Sequence, residues 1–391
     1  MAPYTGIPLS PAELSYLHTS LSQDPPIRPD ARSPTRFRPL IAETEILPSA
    51  NGSARICFAD GTEAIVGVKA EVEKSRTAHF GVGGETKAEG VLGWGRGGGR
   101  DVDDDEMAEG DDGEGGGLSG KKTGRGKDDW LEVAIEIPGM RDDDALPIFL
   151  AAMLTEALLA DGGLKDRLWI NTRFHWRLYI DILLLSQPHS YPLPLLSLTT
   201  HLALLNTRLP SLISEKDEDP LFNDDWEAST HLYPHTPTTQ SSKPPITLLV
   251  MSVGANILFD PSADELAVAD GVVAISVASS SSTATTTSKK EDGTLTLLAL
   301  RTIDPPSRLT AAGVPNVLNT TTTTTTGSTG AQQNLSAAEV LAMKERDQGV
   351  SVWRPPRGGV KRGVIARMVR MVVEKDGVGA EVLGGLGGVK T

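Results

Sequence analysis

The chain has 391 residues, 39% of them hydrophobic and 23% charged, which is enough apolar material for a packed core and excludes a wholly unfolded polymer. Its formal net charge of −14 argues against a free-standing binder of duplex nucleic acid, which presents basic surface to phosphates.

Cys57 is the single cysteine, so neither an internal disulfide nor a thiolate-rich zinc site can form. It alternates with Ile56 and Phe58, which reads as a buried structural thiol. No apolar run reaches the roughly 18 residues of a membrane span. Residues 1–10 lack the basic start and apolar run of a signal peptide. The chain reads as a soluble protein of reducing compartments, with no membrane partner.

The first 26 residues carry an amphipathic start. Ser10 reads as an N-cap, with Pro11 at the first helical position and Glu13 in the first turn; Leu14, Leu17 and Leu21 then share one face until Pro25-Pro26. Three strands follow, over Phe37–Leu47, Ser53–Ala59 and Ala64–Val72, the last two forming a hairpin across Asp60-Gly61-Thr62. Residues 81–128 are rich in Gly and Asp and lack apolar periodicity, so they read as a disordered insertion. Order returns with a strand over Trp130–Ile137 and a helix from about Asp142 to Ala160. The alternation of Phe174–Leu185 is the clearest strand in the chain, with His175, Arg177, Tyr179 and Asp181 on its polar side.

A helix over Leu193–Asn206 comes next, and then an acidic, Pro- and Thr-rich connection across 216–245. The second half has strands over Thr247–Val253, Ile257–Phe259 and Val272–Val277. A short helix spans Asp264–Ala269, and Thr294–Leu300 is set to pair with Val272–Val277. Residues 279–293 and 319–330 are low-complexity loops. Ser336 and Glu339 form a capping box for a helix to Asp347, and a basic amphipathic helix runs over Val360–Glu374. This gives an α+β protein: an N-terminal helical extension (1–26), a first half (27–215), a linker (216–245), a second half (246–376) and a Gly-rich tail (377–391).

Several apparent motifs carry no chemistry. Gly115–Lys121 misses a phosphate-binding P-loop, because Lys122 stands where the magnesium-binding hydroxyl belongs and no strand precedes it. Asp101, Asp103 and Asp105 lack the glycine a calcium loop needs. His231 and His235 are separated by Pro234, so they cannot share a helix face and read as loop polars. His175 reads as a satisfied surface or interface histidine. Asp260, Asp264, Glu265 and Asp270 gather at a strand–helix–strand junction, where helix capping and solvation explain them better than a metal. No metal and no cofactor is expected.

A set of ordered segments resembles the RNase PH family. Ile27-Arg28-Pro29-Asp30-Ala31-Arg32 and Phe37-Arg38-Pro39 are similar to its opening motif, with Ala31 in place of a glycine. Asn51–Arg55, Val66–Val72, Trp176–Leu185 and Ala203–Pro210 resemble the eukaryotic exosome ring branch, and Asp260-Pro261, Glu265 and Asp270 its acidic second-half stretch. The resemblance covers roughly 10–75, 130–215 and 245–375. It implies an RNase PH-like fold, with a ribosomal protein S5 domain 2-like first half. It also implies a hetero-hexameric ring with other RNase PH-like subunits, RNA-binding cap proteins, and RNA threaded through the channel. The location implied is nucleus, nucleolus and cytoplasm.

Phosphorolytic members bind orthophosphate at a helix N-terminus with glycines, a hydroxyl and an arginine. Here the corresponding bend reads Gln187-Pro188-His189-Ser190-Tyr191-Pro192, without glycine or a following arginine. The expectation is a degenerate phosphate site, vestigial acids at Asp260, Glu265 and Asp270, and no catalytic residue. The role implied is noncatalytic support of 3′–5′ RNA processing and decay, including ribosomal RNA maturation. The alternative is an active phosphate-dependent 3′–5′ exoribonuclease.

Overall fold

The computed structural model describes residues 9–75, 126–141, 143–214, 218–234, 243–279, 295–308 and 353–389. Helix α1 (Pro11–Ser22) starts as its sequence dictates: the Ser10 hydroxyl accepts from the Glu13 amide, and the Glu13 carboxylate accepts from the Ser10 amide at 2.7 Å. Leu14, Leu17 and Leu21 are buried.

The first sheet contains β1 (Leu40–Thr44), β2 (Gly52–Phe58), β3 (Glu63–Lys74), β4 (Leu131–Glu136) and β5 (Phe174–Leu184), in spatial order β1-β2-β3-β5-β4. All its pairings are antiparallel except β4 with β5, which are joined through α2 (Ala145–Leu159) and α3 (Gly163–Arg167). A parallel pair needs such a helical crossover. Strand β1 is shorter at both ends than its alternation suggests; after Thr44 the chain turns away at Glu45, which takes a left-handed φ of +61° while its amide still donates to Ser53 O.

Helix α4 (Leu193–Asn206) is buried along its whole length, packing on β1, β2, β3 and β5 on one side and on β8 on the other. Its apolar residues lie all round it, as a central helix requires. Short strands β6 (Arg208–Leu209) and β7 (Thr230–His231) pair beyond it.

The second sheet is antiparallel, in order β11-β10-β8-β9, from β8 (Ile246–Val253), β9 (Asn256–Phe259), β10 (Gly271–Ser279) and β11 (Leu295–Ile303). Every residue of β8 is buried, as is β10 up to its last residue, so both faces are covered. Helix α5 (Ala263–Leu266) links β9 to β10; α6 (Arg362–Val373) and α7 (Val378–Leu386) close the chain, with α6 on β10 and β11.

Five sequence expectations are corrected. Residues 377–391 are not a plain tail, since Val378, Leu383 and Leu386 of α7 are buried. Within 216–245, residues 218–234 fold back on the first half: Phe222 packs on Trp176 with ring centroids 4.9 Å apart, and the Leu232 amide donates to Thr207 O. Cys57 is half-buried beside Arg55 on the outer side of β2, because Ile56 and Phe58 take the inner side. His175 is buried, stacked on Trp130 at 4.3 Å, because the 3₁₀ turn before β4 lays that indole over it. The helix expected over Asp264–Ala269 is only the single turn α5, one residue earlier. The expectations for 81–125, 280–293, 319–330 and 336–347 fall outside the described residues.

Candidate functional site

Bend 185–192 connects β5 to α4 and is pinned at both ends. The Leu185 amide donates to Glu63 O, and the Ser186 hydroxyl accepts from the Glu63 amide. Gln187 and His189 point to solvent, whereas Ser190, Tyr191 and Pro192 are buried. Burial pushes the Tyr191 phenol well above its ordinary pKa, so it stays neutral. Helix α4 opens on Pro192 with no side-chain cap, and Pro194 lacks an amide proton. Pro192 and Pro194 thus supply no amide donor there, and the first-turn residues Leu193, Leu195 and Leu196 are buried.

The order of residues along the chain hid a guanidinium that the fold delivers to this bend. Arg38, from the loop before β1, donates through Nη1 to the Ser190 hydroxyl at 2.9 Å. Three of its four other N–H groups are already engaged by carboxylates. Nε and Nη2 grip the Asp260 carboxylate at 2.9 and 2.6 Å, and Nη1 also meets Asp60 at 2.5 Å. Burial opposes the charge on Arg38, but the bonds and charges of Asp260 and Asp60 outweigh it and push its pKa up. Asp60 is held below its usual range: burial works against this, and the Thr62 amide and Arg38 prevail.

Asp260 and Glu265 belong to a latch with the three arginines of the opening motif. Arg28, buried at 3% exposure, makes a two-pronged bond to Glu265 at 2.7 and 2.8 Å and donates to the carbonyls of Phe259 and Asp260. Arg32 donates to the Asp260 carboxylate at 2.9 Å and to its carbonyl at 3.0 Å. Glu265 also completes a capping box with Ser262 at the start of α5. Asp260 takes a left-handed φ of +48°, which turns its carbonyl and carboxylate toward the arginines together. Capping thus accounts for part of Glu265 and none of Asp260; matched buried charge accounts for the rest. The latch joins residues 28–38, ahead of the first sheet, to the β9–α5 junction of the second.

Asp270 has a different task. Its carboxylate accepts from the Gly254 amide at 2.6 Å and so braces the turn between β8 and β9, where Gly254 has φ +59°. Asp264 is exposed. Three of the resembling segments also meet. Asn51 donates to Arg208 O and accepts from the Ala70 amide, while Gly52 lies so close to Thr207 and Ala203 that a Cβ there would sit 2.4 Å from the Thr207 hydroxyl. Among the described residues no group of His, Cys, Asp or Glu is arranged to hold a metal ion. No described helix is long and apolar enough to cross a membrane.

No family model matches the chain. It is similar to exosome complex component RRP42 of Saccharomyces cerevisiae, 30% identical over 274 residues, spanning 68% of this chain and 81% of that protein. It is also similar to exosome complex component rrp42 of Schizosaccharomyces pombe, 29% identical over 285 residues, spanning 69% and 78%. Among solved structures, an archaeal exosome core superposes with a TM-score of 0.43 at 18% identity, covering 75% of this chain and 85% of that one. The Archaeoglobus fulgidus exosome with RNA bound to the active site gives 0.46 at 17%, covering 75% and 87%.

Proposed function

Because the chain belongs to the family of exosome complex component RRP42, we propose that it is a noncatalytic ring subunit of an RNA-processing exosome. In this role it assembles with other RNase PH-like subunits, sits below RNA-binding cap proteins, and lines the path of RNA to a nuclease. The same reading carries 3′–5′ processing and decay, ribosomal RNA maturation, and a nuclear, nucleolar and cytoplasmic location.

The observation that carries the noncatalytic reading is the state of Arg38. A phosphorolytic site needs a guanidinium free to take orthophosphate, and here Asp260 and Asp60 already occupy it. Incoming phosphate would have to displace a carboxylate that is 1% exposed and would then be left buried without its main partner. That exchange is costly, since breaking a buried pair costs about 3–5 kcal/mol. Pro192 and Pro194 further thin the supply of amides at the start of α4.

One observation favours the opposite reading, an active phosphorolytic exoribonuclease. A hydroxyl and a guanidinium, the pair such a site uses, do meet at Ser190 and Arg38. The engaged donors of Arg38 weigh against it. Purified chain, alone and assembled with ring neighbours, is expected to release no nucleoside diphosphate from RNA in the presence of phosphate. Release that disappears in Asp270→Asn would overturn the noncatalytic reading.

A further inference from the structure

Residues 354–373 contain Arg354, Arg357, Lys361, Arg362, Arg367 and Arg370 and no acidic residue, within a chain of net charge −14. Several arginines elsewhere in the fold have found carboxylates, among them Arg55 with Glu43, Arg177 with Glu132, and Arg301 with Glu156. In this stretch Arg357, Lys361, Arg362 and Arg370 are exposed, and among the described residues none of their side chains takes part in a hydrogen bond or ion pair. Among the described residues these four side chains face no carboxylate, and such a group of exposed cations suits an anion from outside the fold.

The surroundings fit a backbone of phosphates. Gly358, Gly359 and Gly363 have open space where a Cβ would lie, so main-chain amides beside the cations can be approached closely. Lys361 and Arg362 stand at the start of α6 with no acidic residue in its first turn, where positive charge opposes the helix dipole until an anion arrives. A basic amphipathic helix can also read as a membrane-surface element. Here the apolar side is already used, with Met368 and Val372 buried against the second sheet. A lipid surface would have nothing to insert.

We propose that the basic face of α6 and the Arg357–Lys361 loop before it form a sequence-independent contact for the phosphate backbone of single-stranded RNA. The choice of RNA over other polyanions rests on the exosome-subunit reading; the cation row itself does not.

The test compares the full chain with a variant carrying Arg357→Gln, Lys361→Gln, Arg362→Gln and Arg370→Gln. Binding of a short fluorescein-labelled single-stranded RNA is followed by anisotropy across a salt series. The variant should bind at least roughly tenfold more weakly at low salt, and its salt slope should flatten by about 2–3, as expected for losing up to four phosphate contacts. Its thermal midpoint should match the parent's, since Lys361 and Arg362 oppose the helix dipole while Arg370, in the last turn, favours it. In the assembled ring, ultraviolet cross-links from RNA should reach residues 354–373. Unchanged affinity and slope would overturn the proposal, as would polyglutamate displacing RNA at equal charge concentration. Native mass spectrometry of the same samples separates the two readings: a ring that assembles while the variant binds RNA normally sinks only this inference. RNA binding lost in the variant of a chain that never joins a ring sinks only the subunit assignment.

Discussion

Ala31 sits where the resembling motif has glycine, and it keeps the glycine conformation at a φ of +58°. A left-handed backbone with a Cβ costs roughly 1–2 kcal/mol. Ala31→Gly is therefore expected to raise stability by roughly 0.5–1 kcal/mol, once the extra freedom of the unfolded chain is subtracted; urea unfolding at constant m-value measures it. Arg28 is the opposite case, a side chain whose removal leaves Glu265 as a buried, unmatched charge. Arg28→Met should cost about 3–5 kcal/mol, while Arg28→Met with Glu265→Gln should recover part of it, because only the Ser33, Phe259 and Asp260 carbonyls then lose a donor. Strictly additive losses would deny the coupling. The arginines of this latch were visible in the sequence as a motif, and so were its acids. Their pairing was not, since Arg28 and Glu265 lie 237 residues apart and nothing local signals such a partner. His201 was equally silent. It is fully buried within α4, with Nδ1 2.8 Å from Pro244 O and Nε2 without a partner among the described residues. Burial depresses its pKa to about 4, against the Pro244 bond, and Lys243 adds to the depression. A folded-state value below the unfolded one means the unfolded chain takes up the proton first. Stability from this site is thus complete above about pH 6.5 and falls by about 3 kcal/mol as pH drops toward 4. His201→Asn, which retains an amide donor for Pro244, should flatten the decline in thermal midpoint between neutral and acidic pH. Parallel profiles would deny it.

Elements were legible where one periodicity dominated. The Leu193–Asn206 helix and the Phe174–Leu184 strand match the apolar pattern closely, because each is fixed by burial along its own length. Legibility failed where tertiary contact overrides composition. The glycines of residues 377–391 read as a tail, yet Gly379 is present because its Cα lies against Val372 O, where a Cβ would sit 2.6 Å away. The closing helix α7 can approach α6 only with small residues at that crossing. Once there, it buries Val378, Leu383 and Leu386. Such side chains contribute about 1.5–3 kcal/mol each on burial. Ending the chain after Asp376 should therefore cost several kcal/mol, discounted for residual burial in the unfolded state. It should also lower soluble yield by exposing Val372 of α6. An unchanged thermal midpoint in the truncated chain would show that α7 only decorates the fold.

At the scale of the whole molecule, the two sheets share one interior. Helix α4 is buried from Leu193 to Asn206 between them, so neither half can shed the other without exposing an apolar helix to water. Charge reinforces the union. The N-terminal segment leaves α1, gives the Leu21 and Gln23 carbonyls to Asn256, and passes Arg28, Arg32 and Arg38 to the β9–α5 junction before entering β1. The boundary drawn at residue 27 from sequence thus cuts through a stretch that the structure binds to the second half. The expected consequence is a single cooperative unfolding transition in which both halves melt together. Two single-tryptophan variants report on it: Trp176 lies in β5 of the first sheet, whereas the Trp353 amide bonds the Ser15 hydroxyl of α1, which packs on β8. Their urea midpoints should coincide, and Asp260→Asn, which weakens the hold on both Arg32 and Arg38, should shift both by the same amount. If the Trp176 signal instead kept its midpoint while the Trp353 signal moved, the halves would be separable folding units, and the latch would tether them without making them one cooperative body.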